Sequence, residues 1–309
     1  MGAILLKLRK WKRSLRAMLP RLRLPNQPST VTVFQQLYVH LHHRFGLHNI
    51  SGLGWHSLYA AYHLLCRLGL YRQTNTSDQT KESAKEDRLD GVVIQKSVLT
   101  KSLLDDVPTS LIDRLEDENR SAKRPFLTTY SLNHEEFKQV SHLLTEEIQS
   151  VIKHILRSSF LVTAASIQRT VPSDVPKRSS WLWHLDYAPN CYLQVFIYLN
   201  DVFKDTGATQ VHPRHKTKKL VKLGFIDRYH FTPIAKRALD NPENYLVVEG
   251  NKGSVFMVSV GRCIHRATYP MHNHRDVLVF GVLPSIHSKI RYYECINKIW
   301  NNPIRFLLT

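Results

Sequence analysis

The feature that most narrows the fold is a change of hydrophobic period near residue 160. Before it, in EEFKQVSHLLTEEIQSVIKHILR, Phe137, Val140, Leu144, Ile148, Val151 and Ile155 recur at three- and four-residue steps, the spacing of one buried helix face. After it the period is two. The runs FLVTAASIQ, WLWHLDYA, YLQVFIYLN, TQVHP, YLVVEG, SVFMVSV, CIHRATY and DVLVFGVLP have strand length and are parted by turn residues. Strands at this spacing, with little helical pattern among them, predict a mainly β sandwich or small barrel with flanking helices. GVVIQ at 91–95 reads as a further short strand, followed by helical patterning to about 157. A chain of 309 residues with 43% apolar content can bury a core of this kind.

The segment before residue 90 differs in character. Residues 1–77 carry eleven Lys/Arg and no acid, whereas the rest of the chain holds 32 basic and 25 acidic groups. Most of the +18 formal charge therefore lies outside the β-patterned body, which is only mildly basic. Residues 1–28 are expected to form a basic amphipathic or disordered arm, since Leu5, Leu8, Trp11, Leu15 and Leu19 fall at helical spacing with Lys7, Lys10, Arg13 and Arg16 largely off that stripe. Such an arm either makes peripheral membrane contact through residues 1–25 or remains a solvated basic segment. No window offers the roughly 20 apolar residues of a spanning helix, and Ala3–Leu6 is too short for a secretory core, so a cytoplasmic location is expected, with or without membrane association. Residues 29–72, including LYAAYHLLCRLGLY, read as a helical accessory segment. Its histidines His40, His42, His43, His48, His56 and His63 are irregularly spaced without carboxylates among them, as surface or packing histidines are. Residues 73–89 read as a polar linker. Cys66, Cys191, Cys263 and Cys295 stand singly with no CxxC pair, which argues against a zinc ribbon or disulfide scaffold and for a reducing compartment. Specific nucleic-acid binding finds no motif.

Chemistry concentrates in WLWHLDYAP. His184 and Asp186 are two positions apart, so on a strand both side chains project from one face and can grip one ion. His265, within SVFMVSVGRCIHRATYP, is the best third ligand, flanked by apolar residues that would dry the site. Two imidazoles and one carboxylate on one face of a metal leave three positions open, as in the facial triad of non-haem iron(II) oxygenases. Zinc is the competing metal. Arg275 stands ten positions after His265 and opens RDVLVFGVLP, in which Arg275, Val277, Val279 and Gly281 share a face. A guanidinium inside a barrel needs an anion, because an unpaired buried charge is costly and its planar fork suits a carboxylate. A 2-oxoacid with a distal carboxylate would supply one.

His184-Leu185-Asp186, then His265, then Arg275 resemble the pattern of the 2-oxoglutarate- and iron(II)-dependent dioxygenases, specifically the phytanoyl-CoA dioxygenase-like family. DGVVIQKSVLTKSLLDDV (90–107), LQVFIYLNDVFKDTGATQVHPRHK (193–216) and GSVFMVSVGRCIHRA (253–267) are similar to that family's corresponding segments. The resemblance spans about residues 90–285 and does not cover the first 75. It implies a dioxygenase domain over 90–309 with an α+β fold and a double-stranded β-helix (jelly-roll, cupin-like) core at about 160–285. It further implies Fe(II) bound by His184, Asp186 and His265, 2-oxoglutarate held by Arg275, and O2 as the third reactant, with release of succinate and CO2. Two positions depart from the family pattern: Val277 stands where many relatives place Ser or Thr, and Arg214 interrupts the usual Pro-Gly-Ser-His turn as Pro213-Arg214-His215. Halogenating members replace the carboxylate with a small residue, so Asp186 favours hydroxylation.

Tyr192, Gln194, Phe196 and Tyr198 form the polar-aromatic face of their strand and are assigned to the site side. Gln194, and Gln168 on the strand preceding the HxD, are candidates to reach the co-substrate, and His215 is expected to fix the turn after Pro213. The run HPRHKTKKLVKLGF (212–225) supplies Arg214, Lys216, Lys218, Lys219 and Lys222 near the barrel rim, either as a solvated loop or as a funnel for an anionic small-molecule substrate. Two rival readings remain beside the oxygenase: a non-catalytic β-sandwich binding module tethered by its basic arm, and a zinc-dependent hydrolase on a cupin-like barrel, which leaves Arg275 without a purpose.

Overall fold

The computed structural model describes residues 91–285, apart from 96–98, 117–120, 125–126, 157–158, 177–178, 187 and 189–191. The expectations for residues 1–28, 29–72 and 73–89 lie outside the described residues. The strands are β1 Val92–Gln95, β2 Ser121–Arg124, β3 Leu127–Ser131, β4 Ser159–Thr170, β5 Leu193–Tyr198, β6 Thr209–Val211, β7 Leu246–Val248, β8 Val255–Val258, β9 His265–Arg266 and β10 Arg275–Ser285. They form two antiparallel sheets, a large one ordered β1-β8-β5-β10-β4-β3-β2 and a small one ordered β7-β6-β9. From β5 onward the chain crosses repeatedly between them: β5 large, β6 and β7 small, β8 large, β9 small, β10 large. That winding makes the core a jelly roll with helices on one side, an α+β fold of the cupin type.

The alternation of β10 shows why two sheets form. Leu278, Phe280 and Val282 pack with Phe137, Val140, Ile148 and Ile152 under helices α3 (His134–Val140) and α4 (Glu146–Leu156). Val277 and Val279 face the other way and join Tyr198, Phe256, Val211 and Val248 between the sheets. Each of these side chains is nearly solvent-free, and burying one contributes roughly 1.5–3 kcal/mol. A third cluster joins Trp183, Leu185 and Ile264 to Leu220, Phe225, Ala235 and Leu239. It ties helices α5 (Arg214–Lys222) and α6 (Pro233–Asp240) to the segments on either side of His184 and His265. Helices α1 (Lys101–Asp105) and α2 (Thr109–Asp113) complete the helical layer.

Four local expectations are corrected. WLWHLDYA is not a strand: a 3-10 turn at Ser179–Trp181 leads into a single bridge, His184 to His265, because residues on both sides turn away to pack on α5 and α6. The helical stretch around 135–157 is broken where Leu144 leaves helical geometry (φ −80°, ψ 66°), separating α3 from α4. The region read as helical to 157 also contains the hairpin β2–β3, which extends the large sheet by pairing β3 with β4. The basic run after His212 is helix α5 rather than a loop. Among the described residues no helix is long and apolar enough to cross a membrane.

Candidate metal centre

His184 and His265 are brought together by the backbone. The His184 amide donates to the His265 carbonyl (3.0 Å) and the His265 amide donates back to His184 (2.9 Å), so the two rings lie with centroids 4.3 Å apart. Asp186 is held on the same side by its amide, which donates to the Val260 carbonyl (3.1 Å). His184 Nε2 lies 3.4 Å from Asp186 Oδ1, and His265 Nε2 lies 4.0 Å from Asp186 Oδ2. One ligand atom from each of the three falls within 4.8 Å of the others, the only such His/Cys/Asp/Glu cluster among the described residues.

Both rings are oriented by the same local device. His184 Nδ1 donates to the Leu182 carbonyl (2.8 Å) and His265 Nδ1 to the Cys263 carbonyl (2.9 Å), the acceptor standing two residues upstream each time. A carbonyl only accepts, so the proton sits on Nδ1 and Nε2 presents its lone pair toward Asp186. Burial, reinforced by the charge of His184, lowers the His265 pKa to about 4. Burial would raise the Asp186 carboxyl, but the two imidazoles beside it and the charge of Arg228 outweigh it and hold it below the usual carboxylate range. Neutral imidazole beside carboxylate is the protonation state a divalent ion requires. His184 is 5% exposed, whereas the Asp186 side chain is 35% exposed, so the cluster opens to solvent on the aspartate side. The donor set suits a divalent transition ion bound on one face.

Arg275 lies inside the sandwich, 5% exposed, at the first position of β10. Its Nη1 donates to the Gly207 carbonyl (2.7 Å) and Thr209 Oγ1 (3.0 Å), and its Nη2 to Thr170 Oγ1 (3.2 Å). All three acceptors are neutral, and Nε is buried with no partner among the described residues. The neighbouring acid gives no help, because Asp276 points away and is held by Arg169 at 2.8 and 2.7 Å. Burial lowers the Arg275 pKa, and the Tyr198 phenol lies close enough to sense its charge. Where Val277 offers no hydroxyl, Thr170 on the adjoining β4 and Thr209 on β6 of the other sheet supply two. Gly207 sits at φ 94°, a left-handed conformation open to glycine that turns its carbonyl toward the guanidinium.

The two glutamines flank β10 on opposite sides. Gln168 pairs opposite Val277 on β4, two residues from Thr170, so it shares the inner face with the Arg275 contacts; its amide lies 3.4 Å from Ser166 Oγ. Gln194 pairs opposite Gly281 on β5, four residues further along β10, which is about 13 Å at strand rise. There it lies beside the Tyr192 phenol, as Thr163 does, and burial together with the Asp186 charge pushes that phenol up to about 12. Gln194 therefore stands toward the aspartate and Gln168 toward the arginine. Phe196 and Tyr198 point between the sheets with them.

Other residues are placed differently from the sequence reading. His215 is exposed on α5, and the buried histidine of that segment is His212, which sequence reasoning missed. His212 Nδ1 donates to the Asn244 carbonyl (2.8 Å), its ring packs tilted against Trp183 (centroids 4.4 Å apart), and burial lowers its pKa to about 4. Trp183 is in turn covered by the Arg266 guanidinium at 4.1 Å and donates Nε1 to Asp240 (3.2 Å). The residues next to the two histidines are thereby clamped to α6. Arg228, on the 225–231 loop, also carried no sequence signal, since one arginine in a polar loop has no pattern to mark it.

No family model matches the chain, and no curated protein matches it. Solved structures do resemble it in fold. EctD from S. alaskensis, crystallised with 2-oxoglutarate and 5-hydroxyectoine, aligns with a TM-score of 0.52 at 12% identity, covering 69% of this chain and 79% of its own. The epimerase SnoN, in complex with Fe3+, alpha ketoglutarate and nogalamycin RO, aligns with a TM-score of 0.50 at 14% identity, covering 67% and 84%. At these identities the likeness establishes the jelly-roll fold.

Proposed function

We propose that this chain is a 2-oxoglutarate- and Fe(II)-dependent oxygenase, of the phytanoyl-CoA dioxygenase-like type, that hydroxylates a C–H bond of a small anionic or lipid-like substrate and releases succinate and CO2. The observation that carries this reading is Arg275: a buried guanidinium with only neutral acceptors and an idle Nε, inside the sandwich whose rim holds a His-Asp-His cluster. A dicarboxylic 2-oxoacid answers both halves of that arrangement, which a zinc hydrolase or a plain binding module leaves unexplained.

In this reading His184, Asp186 and His265 hold the metal, which supplies oxygen activation when bound. Their Nδ1 bonds to Leu182 and Cys263 keep both Nε2 lone pairs aimed without rearrangement. Arg275 holds the distal carboxylate, its fork already steadied by Gly207, Thr209 and Thr170. Val277, Val279 and Phe256 keep the space between the sheets dry, which strengthens the guanidinium's grip on an anion. Gln168 and Gln194 supply amides toward co-substrate and substrate.

The test is anaerobic loading with Fe(II) and 2-oxoglutarate, followed by oxygen and measurement of succinate. A visible charge-transfer band on mixing and oxygen-dependent succinate are expected from the Fe(II) protein and neither from the Zn(II) protein. Tight zinc retention with no 2-oxoglutarate-dependent oxygen uptake would overturn the proposal.

A further inference from the structure

We infer that Arg228 is the anchor for an oxyanion group, a carboxylate or phosphate, of the substrate at the mouth of the metal centre. The inference rests on the oxygenase reading and names the chemical class of its substrate. Arg228 sits at the tip of a loop closed by the Phe225–Phe231 bridge and by mutual contacts of Ile226, Asp227 and His230. Phe225 is buried beside Trp183 and Leu185, which flank His184, so the loop is rooted at the metal centre. The acid nearest in sequence is already committed: Asp227 Oδ1 accepts from the amides of Tyr229 (2.8 Å) and His230 (3.0 Å) and from His230 Nδ1 (2.8 Å). Among the described residues the Arg228 guanidinium has one hydrogen bond, a long one of 3.4 Å from Nη1 to Ser179 Oγ, and no ion pair.

That one contact fixes where the charge is. Ser179 begins the turn that precedes His184; the Ser180 carbonyl accepts from Ala267, two residues past His265, and the Leu182 carbonyl orients His184. The guanidinium thus rests on the segment running beside both imidazoles, and its charge reaches Asp186 and His265. A half-buried cation placed there opposes the binding of a metal ion, and the anion it senses, Asp186, is the one that the metal would claim. With a divalent ion, Asp186, Arg275 and a dicarboxylate in place, the charges cancel, and Arg228 leaves one positive charge over. An oxyanion on the substrate satisfies the free fork, balances that charge and fixes the substrate's orientation at the open, aspartate side of the cluster.

The experiment uses the full chain loaded with Mn(II) and 2-oxoglutarate, with inorganic phosphate and acetate as probes. Paramagnetic relaxation of the phosphorus and of the acetate methyl protons reports only anions near the metal, so binding to the basic helix α5 does not register. Saturable relaxation by at least one probe is expected. Arg228→Ala should weaken it at least about tenfold, while Arg228→Lys stays within about threefold. Mn(II) and 2-oxoglutarate should still bind Arg228→Ala, the metal at least as tightly, since a repelling cation is gone. The preference between the probes assigns the group as phosphate or carboxylate. Relaxation unchanged in Arg228→Ala, or absent for both probes in the parent protein, overturns the inference while leaving the metal site standing. Failure of the parent protein to bind Mn(II) with 2-oxoglutarate overturns the oxygenase reading and this inference with it.

Discussion

Replacing Arg275 with Met separates the dicarboxylate reading from a structural role for the arginine. Among the described residues the guanidinium makes three bonds to neutral acceptors, at 2.7, 3.0 and 3.2 Å, and no ion pair. Arg275→Met gives up those bonds but also sheds a desolvated charge, and the two effects oppose each other. With co-substrate the effects no longer oppose. A carboxylate on the fork gains charge-assisted bonds together worth about 2–4 kcal/mol, so their loss weakens 2-oxoglutarate binding roughly 30- to 1000-fold. At a concentration 100 times the dissociation constant, ligand stabilises the parent by about 2.7 kcal/mol, a rise in melting temperature of roughly 5–11 °C for a domain of this size. The variant at the same concentration should rise by under about 4 °C. The assay is thermal unfolding with Mn(II), comparing 2-oxoglutarate with 2-oxobutyrate, which lacks the distal carboxylate. The parent should prefer 2-oxoglutarate strongly, and Arg275→Met should treat the two alike. A variant that folds and keeps the parental preference would refute the assignment of Arg275.

Three further outcomes are expected. Asp186→Ala should lower Mn(II) affinity by roughly two orders of magnitude, read by the spectrum of free Mn(II), and abolish 2-oxoglutarate turnover while the circular dichroism is unchanged; persisting turnover would remove Asp186 from the site. His212 has a pKa of about 4 in the fold against 6.5 in the open chain, so below pH 6.5 the unfolded chain takes up a proton that the native state refuses. Its contribution is complete above pH 6.5 and falls by about 2–3 kcal/mol by pH 4.5, so His212→Phe should flatten the urea stability profile between those values, and an unchanged slope would contradict its burial. A Cβ at Gly281 would meet the Tyr192 hydroxyl, so Gly281→Ala should cost about 1–3 kcal/mol in chemical denaturation and recover much of it when combined with Tyr192→Leu; strict additivity would mean the two do not touch.

Strands β4, β5, β8 and β10 were legible in the sequence because each is an apolar run of strand length, alternating in burial along β5 and the end of β4 and buried on both faces in β8 and β10. The hairpin β2–β3 escaped because SAKR and LTTYS carry no such pattern; LTTYS becomes a strand through pairing with β4, a long-range cause, and SAKR through pairing with LTTYS. Helix α5 escaped for a similar reason. Only Thr217 and Leu220 are buried on it, too few to mark a face, and what builds it is the docking of Leu220 beside Phe225 and of Thr217 Oγ1 under the Ile264 amide (2.9 Å). The helix around 135–157 showed its face correctly but not its break, since the six periodic residues continue in phase across the kink at Leu144.

The candidate site divides in the same way between what side chains announce and what backbone does silently. His184, Asp186, His265 and Arg275 stood out because rare residue types recurred in strand-like surroundings, a signal that survives even though His184 lies on one bridge rather than a strand. What aims them left no trace in the sequence: the Leu182, Cys263, Val260 and Gly207 groups that orient the four are main-chain carbonyls, which every residue carries. The reciprocal amide bonds between His184 and His265 then join the two ligands through the backbone rather than through the metal. Truncating either imidazole leaves both of those bonds available, so the remaining ligands should keep their positions, and loss of metal affinity in a histidine variant should come without loss of the fold. A histidine-to-alanine variant that unfolded cooperatively at lower temperature by as much as a buried leucine truncation would show instead that the rings, not the backbone bridge, hold this part of the two sheets together.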